Sequence, residues 1–152
     1  MVNGKAVILL VEDSDDDADL TVRALRRNNV VNEVVRVTDG VDALDYLAAT
    51  GRFEGRDRSD VPELILLDLK LPRLSGLEVL ERLRGDERHV HVPVVVLTSS
   101  IEERDLDKAY ALGANSYVQK PVDFEEFTRS VATIGMYWLL VNQAPNTAPT
   151  GR

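Results

Sequence analysis

Cysteine is absent from all 152 residues, and with it go disulfides, thiolate metal sites and cysteine nucleophiles. Long apolar runs are absent too. No stretch approaches the roughly 20 residues that span a bilayer. The run from Ala6 to Val11 is too short, and too soon followed by acids, for a secretory signal. Basic residues are the minority, 18 Lys and Arg against 26 Asp and Glu, for a net charge of -8. Neutralising a phosphate backbone needs clustered Lys and Arg, so neither nucleic acid nor membrane is an expected partner. Cations, or proteins with basic patches, suit this surface better. What remains is an ordinary globular composition at a length that fits one domain, and the expected location is cytoplasmic.

What is present is organised around carboxylates at the ends of apolar runs. Leu64-Ile65-Leu66-Leu67 reads as a strand buried on both faces and closes on Asp68, with Pro72 and Gly76 beyond it. A charge in that position is costly unless it is paired, hydrogen-bonded or metal-bound. Ala6 to Val11 is a second such strand and closes on Glu12-Asp13. Ser14 is placed to cap a helix with Asp15, Asp16 and Asp17 at its positive end. Ala18, Val22 and Leu25 continue that helix until Asn28-Asn29 breaks it.

Glu33 to Thr38 predicts a short β-branched strand, and Asp39-Gly40 opens a helix with Val41, Leu44, Leu47 and Ala48 on one face. Gly51 to Pro62 reads as a surface connection whose sizeable apolar residues are Phe53 and Val61. Ser75 can cap a helix carrying Leu77, Leu80 and Leu83 as far as Gly85. Pro93 introduces the strand Val94 to Leu97, which ends in Thr98-Ser99-Ser100. A helix over 102–112 stops at Gly113. A strand over 115–119 runs into Lys120-Pro121, and Phe124, Phe127, Val131, Ile134 and Trp138 mark a last helix. Residues 1–141 are thus expected to form one domain, followed by a disordered tail over 142–152.

Five strands alternating with five helices predict an α/β fold, a doubly wound five-stranded parallel sheet with helices on both faces. Right-handed crossovers bring all strand C-termini to one edge, the usual ligand edge of such sheets. That edge gathers Glu12, Asp13, Asp68, Thr98 and Lys120. Singly, each has an ordinary explanation: two helix-capping acids, a strand-end hydroxyl, a solvated lysine. Together they outweigh it. Converging carboxylates raise one another's pKa values unless a cation holds them, and a hard divalent ion with oxygen ligands is the natural solution. Asp68 is then placed to take a phosphoryl group, with the metal and Lys120 stabilising its charge and Thr98 donating a hydrogen bond.

Three other readings share parts of this pattern. A flavodoxin-like cofactor binder has the same architecture, but Glu12-Asp13 would repel its phosphate. An aspartate-nucleophile phosphatase places its nucleophile after the first strand with a second Asp two residues on, a spacing that Asp13 and Asp15 satisfy. A domain whose phosphorylation is idle would act purely as a scaffold, although every chemical group is in place.

In Glu12-Asp13, Asp68 with Pro72 and Gly76, Thr98 and Lys120-Pro121, the chain resembles response-regulator receiver domains of two-component signalling. The likeness runs over residues 5–141. It implies that Asp68 is the phosphoacceptor and that Mg²⁺ or Mn²⁺ is held by Asp13, Asp68 and the backbone carbonyl of Lys70, with Glu12 acting through water. It implies that Lys120 pairs with the phosphoryl group or the acceptor carboxylate and that Lys120-Pro121 is a cis peptide. Thr98 and Tyr117 would be the switch pair, Ser99 would leave access to Asp68, and Lys70 and Ser100 would tune self-dephosphorylation. No turnover enzyme is implied, only self-phosphorylation and self-dephosphorylation.

The apolar end of the last helix, Met136, Tyr137, Leu139, Leu140 and Val141, is expected to form a homodimer interface with neighbouring elements. With no output domain evident after it, signalling is expected to proceed through protein contacts. The Glu12-Asp13-Ser14-Asp15 start, the 51–62 insertion and the aromatic-ended last helix resemble stand-alone regulators of bacterial and cyanobacterial phytochromes. The implied partner is a sensor histidine kinase of phytochrome type.

Overall fold

The computed structural model describes residues 7–99, 103–120 and 124–135. Val7–Val11 (β1), Glu33–Val37 (β2), Leu64–Leu67 (β3), Val94–Thr98 (β4) and Ser116–Gln119 (β5) form one sheet in the order β2-β1-β3-β4-β5, with every pairing parallel. The helices are Asp15–Arg27 (α1), Gly40–Ala48 (α2), Gly76–Arg84 (α3), Glu103–Ala111 (α4) and Phe124–Gly135 (α5).

The three central strands show why continuous apolar runs were required. Successive side chains point to opposite faces. Leu9, Val11, Ile65, Leu67, Val94 and Val96 enter one core, which includes Leu80 and Leu83 of α3. Ile8, Leu10, Leu64, Leu66, Val95 and Leu97 enter the other, with Leu25 of α1 and Phe127 of α5. A polar residue anywhere in these runs would therefore lose its water on either face. The doubly wound α/β sheet expected from the sequence is the observed fold.

Boundaries moved by a residue or so, and one helix buries two side chains beyond those expected. β2 ends at Val37 rather than Thr38, α4 ends at Ala111, and β5 starts at Ser116. In α2 the fully buried side chains are Ala43, Tyr46 and Leu47, while Val41, Leu44 and Ala48 are half-buried. The reason lies in the 51–62 connection. Phe53 meets the Tyr46 ring edge-on at 5.2 Å, and the Arg56 guanidinium stacks over that ring at 3.9 Å. This cover buries Tyr46 beside Ala43 and Leu47 in the first core, with Leu44 packed against it. Ser100, Pro121, the last-helix end from Met136 to Val141 and the tail lie outside the described residues, and with them the expected cis peptide and dimer surface.

Arg84, at the end of α3, ties two loops together. Its Nη1 donates to the carbonyls of His89, Val90 and Val92, and its Nε and Nη2 to that of Gly113. Nη2 also reaches Asn115 Oδ1 at 2.9 Å, and the same oxygen accepts from Val94 N at 2.8 Å. Arg84→Ala would leave several carbonyls without their donor and is expected to cost about 2 kcal/mol in chemical denaturation. Arg84→Lys should recover only a small part, because an ammonium cannot reach both loops.

Candidate functional site

Each strand delivers its last polar residue through the ladder itself. Glu12 N donates to Val37 O at 3.0 Å, and Asp68 N to Val11 O at 3.1 Å, so both acids extend the sheet by one rung. Lys120 N donates to Thr98 O at 2.8 Å and does the same beyond β5. Glu12, Asp68 and Thr98 are buried at 2%, 7% and 0% exposure, whereas Asp13 is exposed. Past β3 the chain turns back at once. Asp68 Oδ1 accepts from Lys70 N at 3.2 Å, and Gly76 N donates to Leu69 O at 2.9 Å.

The side chains converge on one ammonium. Lys120 Nζ donates to Glu12 Oε1 at 2.5 Å, Asp17 Oδ2 at 2.9 Å and Asp68 Oδ2 at 3.2 Å. Glu12, Asp13 and Asp68 each offer a carboxylate oxygen, and these oxygens lie within 4.8 Å of one another. Three hard oxygen donors this close suit Mg²⁺ or Mn²⁺, and one ammonium cannot neutralise them all. The structure thus brings together Glu12, Asp13, Asp68 and Lys120. Thr98 ends the neighbouring strand, whose register sets Val96 opposite Leu67. Lys70 is exposed two residues past Asp68, and Ser99 is exposed past Thr98. Tyr117 is half-buried on β5 opposite Val96, packed against the first core.

Two residues of the site were not found from the sequence. Asp17 reads as a helix-dipole acid and instead holds Lys120. Arg36, the lone charge between the valines of β2, donates from Nε to Glu12 O at 3.0 Å and from Nη1 to Asp15 Oδ1 at 2.8 Å, fixing the turn that carries Glu12-Asp13. Its position at the C-terminal end of a β-branched strand was the available signal.

Burial pushes the Glu12 carboxyl up to about 7, against the opposing pull of Lys120. Burial alone would lower Lys120, but the hydrogen bonds to Glu12 and Asp17 and the Asp68 charge hold it above its ordinary value. The sign of the pH dependence follows from Glu12. Its folded value lies above its ordinary 4.5, so its contribution to metal-free stability is fully present below 4.5 and is lost as pH rises through about 7. A cation needs the carboxylate, so its binding has the opposite slope. Mg²⁺ affinity is expected to rise by up to about tenfold per pH unit below the Glu12 value and to level off above it. Glu12→Gln should flatten that slope; calorimetric titration across the range checks both.

Comparison with known proteins points the same way. The pattern described as the response regulator receiver domain matches residues 8–132. The chain is 44% identical over 142 residues to the probable methanogenesis regulatory protein FilR2 of Methanothrix harundinacea, covering 93% of this chain and 89% of that one. It is 37% identical over 137 residues to response regulator Rcp1 of Synechocystis, covering 90% and 91%. The Mn²⁺-bound structure of Rcp1 superposes with a TM-score of 0.83 at 36% identity, over 93% of this chain and 99% of that one. The phosphorylated cyanobacterial phytochrome response regulator RcpA superposes with a TM-score of 0.85 at 37% identity, over 94% and 100%.

Proposed function

Because this chain belongs to the response regulator receiver domain family, we propose that it accepts a phosphoryl group on Asp68 from a sensor histidine kinase of phytochrome type. It then signals from the cytoplasm through protein contacts, as a phosphoacceptor rather than a turnover enzyme. The observation that carries this reading is the Asp68 carboxylate at the end of a buried strand, 3.2 Å from Lys120 Nζ and grouped with the oxygens of Glu12 and Asp13.

Asp13 and Asp68, with the Lys70 carbonyl and Glu12 through water, would hold Mg²⁺ or Mn²⁺. When bound, the ion offsets the charge of the entering phosphoryl oxygens. An Asp68 carboxylate oxygen attacks phosphorus, and the bond from phosphorus to the donor's histidine nitrogen breaks. Lys120 presents a fixed positive charge to the phosphoryl oxygens, and Thr98 donates its hydroxyl to one of them. Tyr117, on the strand beside Thr98, reads that movement as a population shift between two positions of its ring. Among the described residues no helix is long and apolar enough to cross a membrane.

The phytochrome assignment draws support from the relatives named above, and the homodimer from the apolar sequence Met136 to Val141. Phosphotransfer from a panel of labelled sensor kinases tests the partner. Label is expected to pass fastest from a phytochrome-type kinase; faster transfer from another class contradicts that partner. Sedimentation should find a dimer at micromolar concentration, and a monomer with and without phosphorylation contradicts the homodimer.

A further inference from the structure

The first turns of α1 and α3 start alike and close differently. Each has a serine cap with an acid three residues on, Ser14 with Asp17 and Ser75 with Glu78. In α3 the exchange is reciprocal. Glu78 N donates to Ser75 Oγ at 3.2 Å, and Ser75 N to Glu78 Oε1 at 3.0 Å. In α1 only half of it forms. Asp17 N donates to Ser14 Oγ at 3.2 Å, but Ser14 N donates to Glu12 Oε2 at 3.2 Å. The Asp17 carboxylate, released from the helix end, reaches Lys120 Nζ.

Its backbone is pinned on both sides. The N–H is held by Ser14, and the carbonyl accepts from Thr21 Oγ1 at 2.8 Å. Capping boxes use Glu or Gln at this position, and Asp is one methylene shorter. The ammonium has three N–H donors, matched by three acceptors here: Glu12, Asp17 and Asp68. Two of those acceptors belong to the carboxylate group able to hold a cation, and Asp17 does not.

We propose that Asp17 is a positioning residue for Lys120, holding the ammonium beside Asp68 while Glu12 and Asp68 exchange it for a cation and a phosphoryl group. This rests on the phosphoacceptor reading. Without Asp17, the ammonium leans on Glu12 and Asp68, competes with the cation for them, and loses its one anchor that the cation does not claim.

The test uses the full chain as wild type, Asp17→Ala, Asp17→Asn and Asp16→Ala. Asp16 is an exposed acid in the same turn, so it controls for charge. Two readouts are taken, Mg²⁺ affinity by calorimetry and the rate of adduct formation from acetyl phosphate at saturating Mg²⁺. Asp17→Ala is expected to weaken Mg²⁺ binding about fivefold and to slow the adduct about tenfold, with Asp17→Asn between it and wild type. Asp16→Ala should stay within about twofold of wild type on both. Asp17→Ala indistinguishable from wild type, or matched by Asp16→Ala, overturns the proposal. Wild type binding Mg²⁺ without forming an adduct overturns the phosphoacceptor reading instead, and the Mg²⁺ titrations then still decide whether Asp17 steers Lys120.

Discussion

Asp68→Asn is expected to abolish the phosphoryl adduct while leaving the fold intact. The amide oxygen can still accept from Lys70 N, the bond that shapes the turn after β3. The amide nitrogen's lone pair, however, is delocalised into its carbonyl and attacks phosphorus poorly, and the second oxygen that faces Lys120 is gone. Adduct formation should fall by at least about a hundredfold, to the background of adventitious labelling. Metal-free stability should change by less than about 1 kcal/mol, because loss of the Lys120 pairing is offset by one fewer carboxylate in a crowded acidic group. Mg²⁺ affinity should fall too, since Asp68 is one of three carboxylates in the cation group. Intact mass, denaturation and calorimetry on the same preparation separate the three effects. Undiminished adduct in this variant would move the acceptor elsewhere.

Gly76→Ala should damage stability and site together. A Cβ on Gly76 would lie 2.2 Å from Asp68 O and 2.7 Å from Leu69 Cα. Both are backbone atoms, so no rotamer change relieves the clash. Either the first turn of α3 moves outward or the main chain carrying Asp68 is displaced. The first outcome strains the Leu80 and Leu83 packing, and the second shifts Asp68. The expected cost is about 3 kcal/mol by chemical denaturation. The expected slowing of adduct formation is up to about a hundredfold, since a shift on the order of 1 Å is enough to misalign a reacting group. Gly85→Ala is the control. There a Cβ finds only Arg82 O and Glu81 O at 3.7 Å, an ordinary contact, and stability should change by less than about 1 kcal/mol. If Gly76→Ala behaved like Gly85→Ala, the tight approach of α3 to the chain after β3 would not be what places Asp68.

These two residues also mark what could be read from the sequence. Asp68 was legible because a strand buried on both faces admits no unexplained charge, so its carboxylate demanded partners before any were seen. Glu12, Asp13, Thr98 and Lys120 followed from topology, since parallel crossovers leave little choice about which ends meet. Gly76 was visible as a residue but not as a close contact, which depends on how steeply the chain reverses after Leu69. Asp17 was hidden by a sufficient local reason. An acid in the first turn of a helix already has the dipole to explain it, and only the third dimension shows its carboxylate turned to Lys120. On α2, Leu47 and Leu44 were found on the core side, but Tyr46 was missed for a similar cause. Helical spacing ranks apolar positions, but the cover over Tyr46 comes from Phe53 and Arg56, in a connection with no periodicity at all. The Arg84 contacts with two loops carry no sequence period either.

Whether Asp68 is a nucleophile held ready by carboxylates and an ammonium is tested most directly by incubating the full chain with Mg²⁺ and acetyl phosphate, then mapping the product by intact and peptide mass. A single phosphoryl adduct is predicted, base-labile, on the peptide containing Asp68, and absent when EDTA replaces Mg²⁺. No adduct, an adduct on another residue, or continuous release of phosphate from many phosphomonoesters would contradict it.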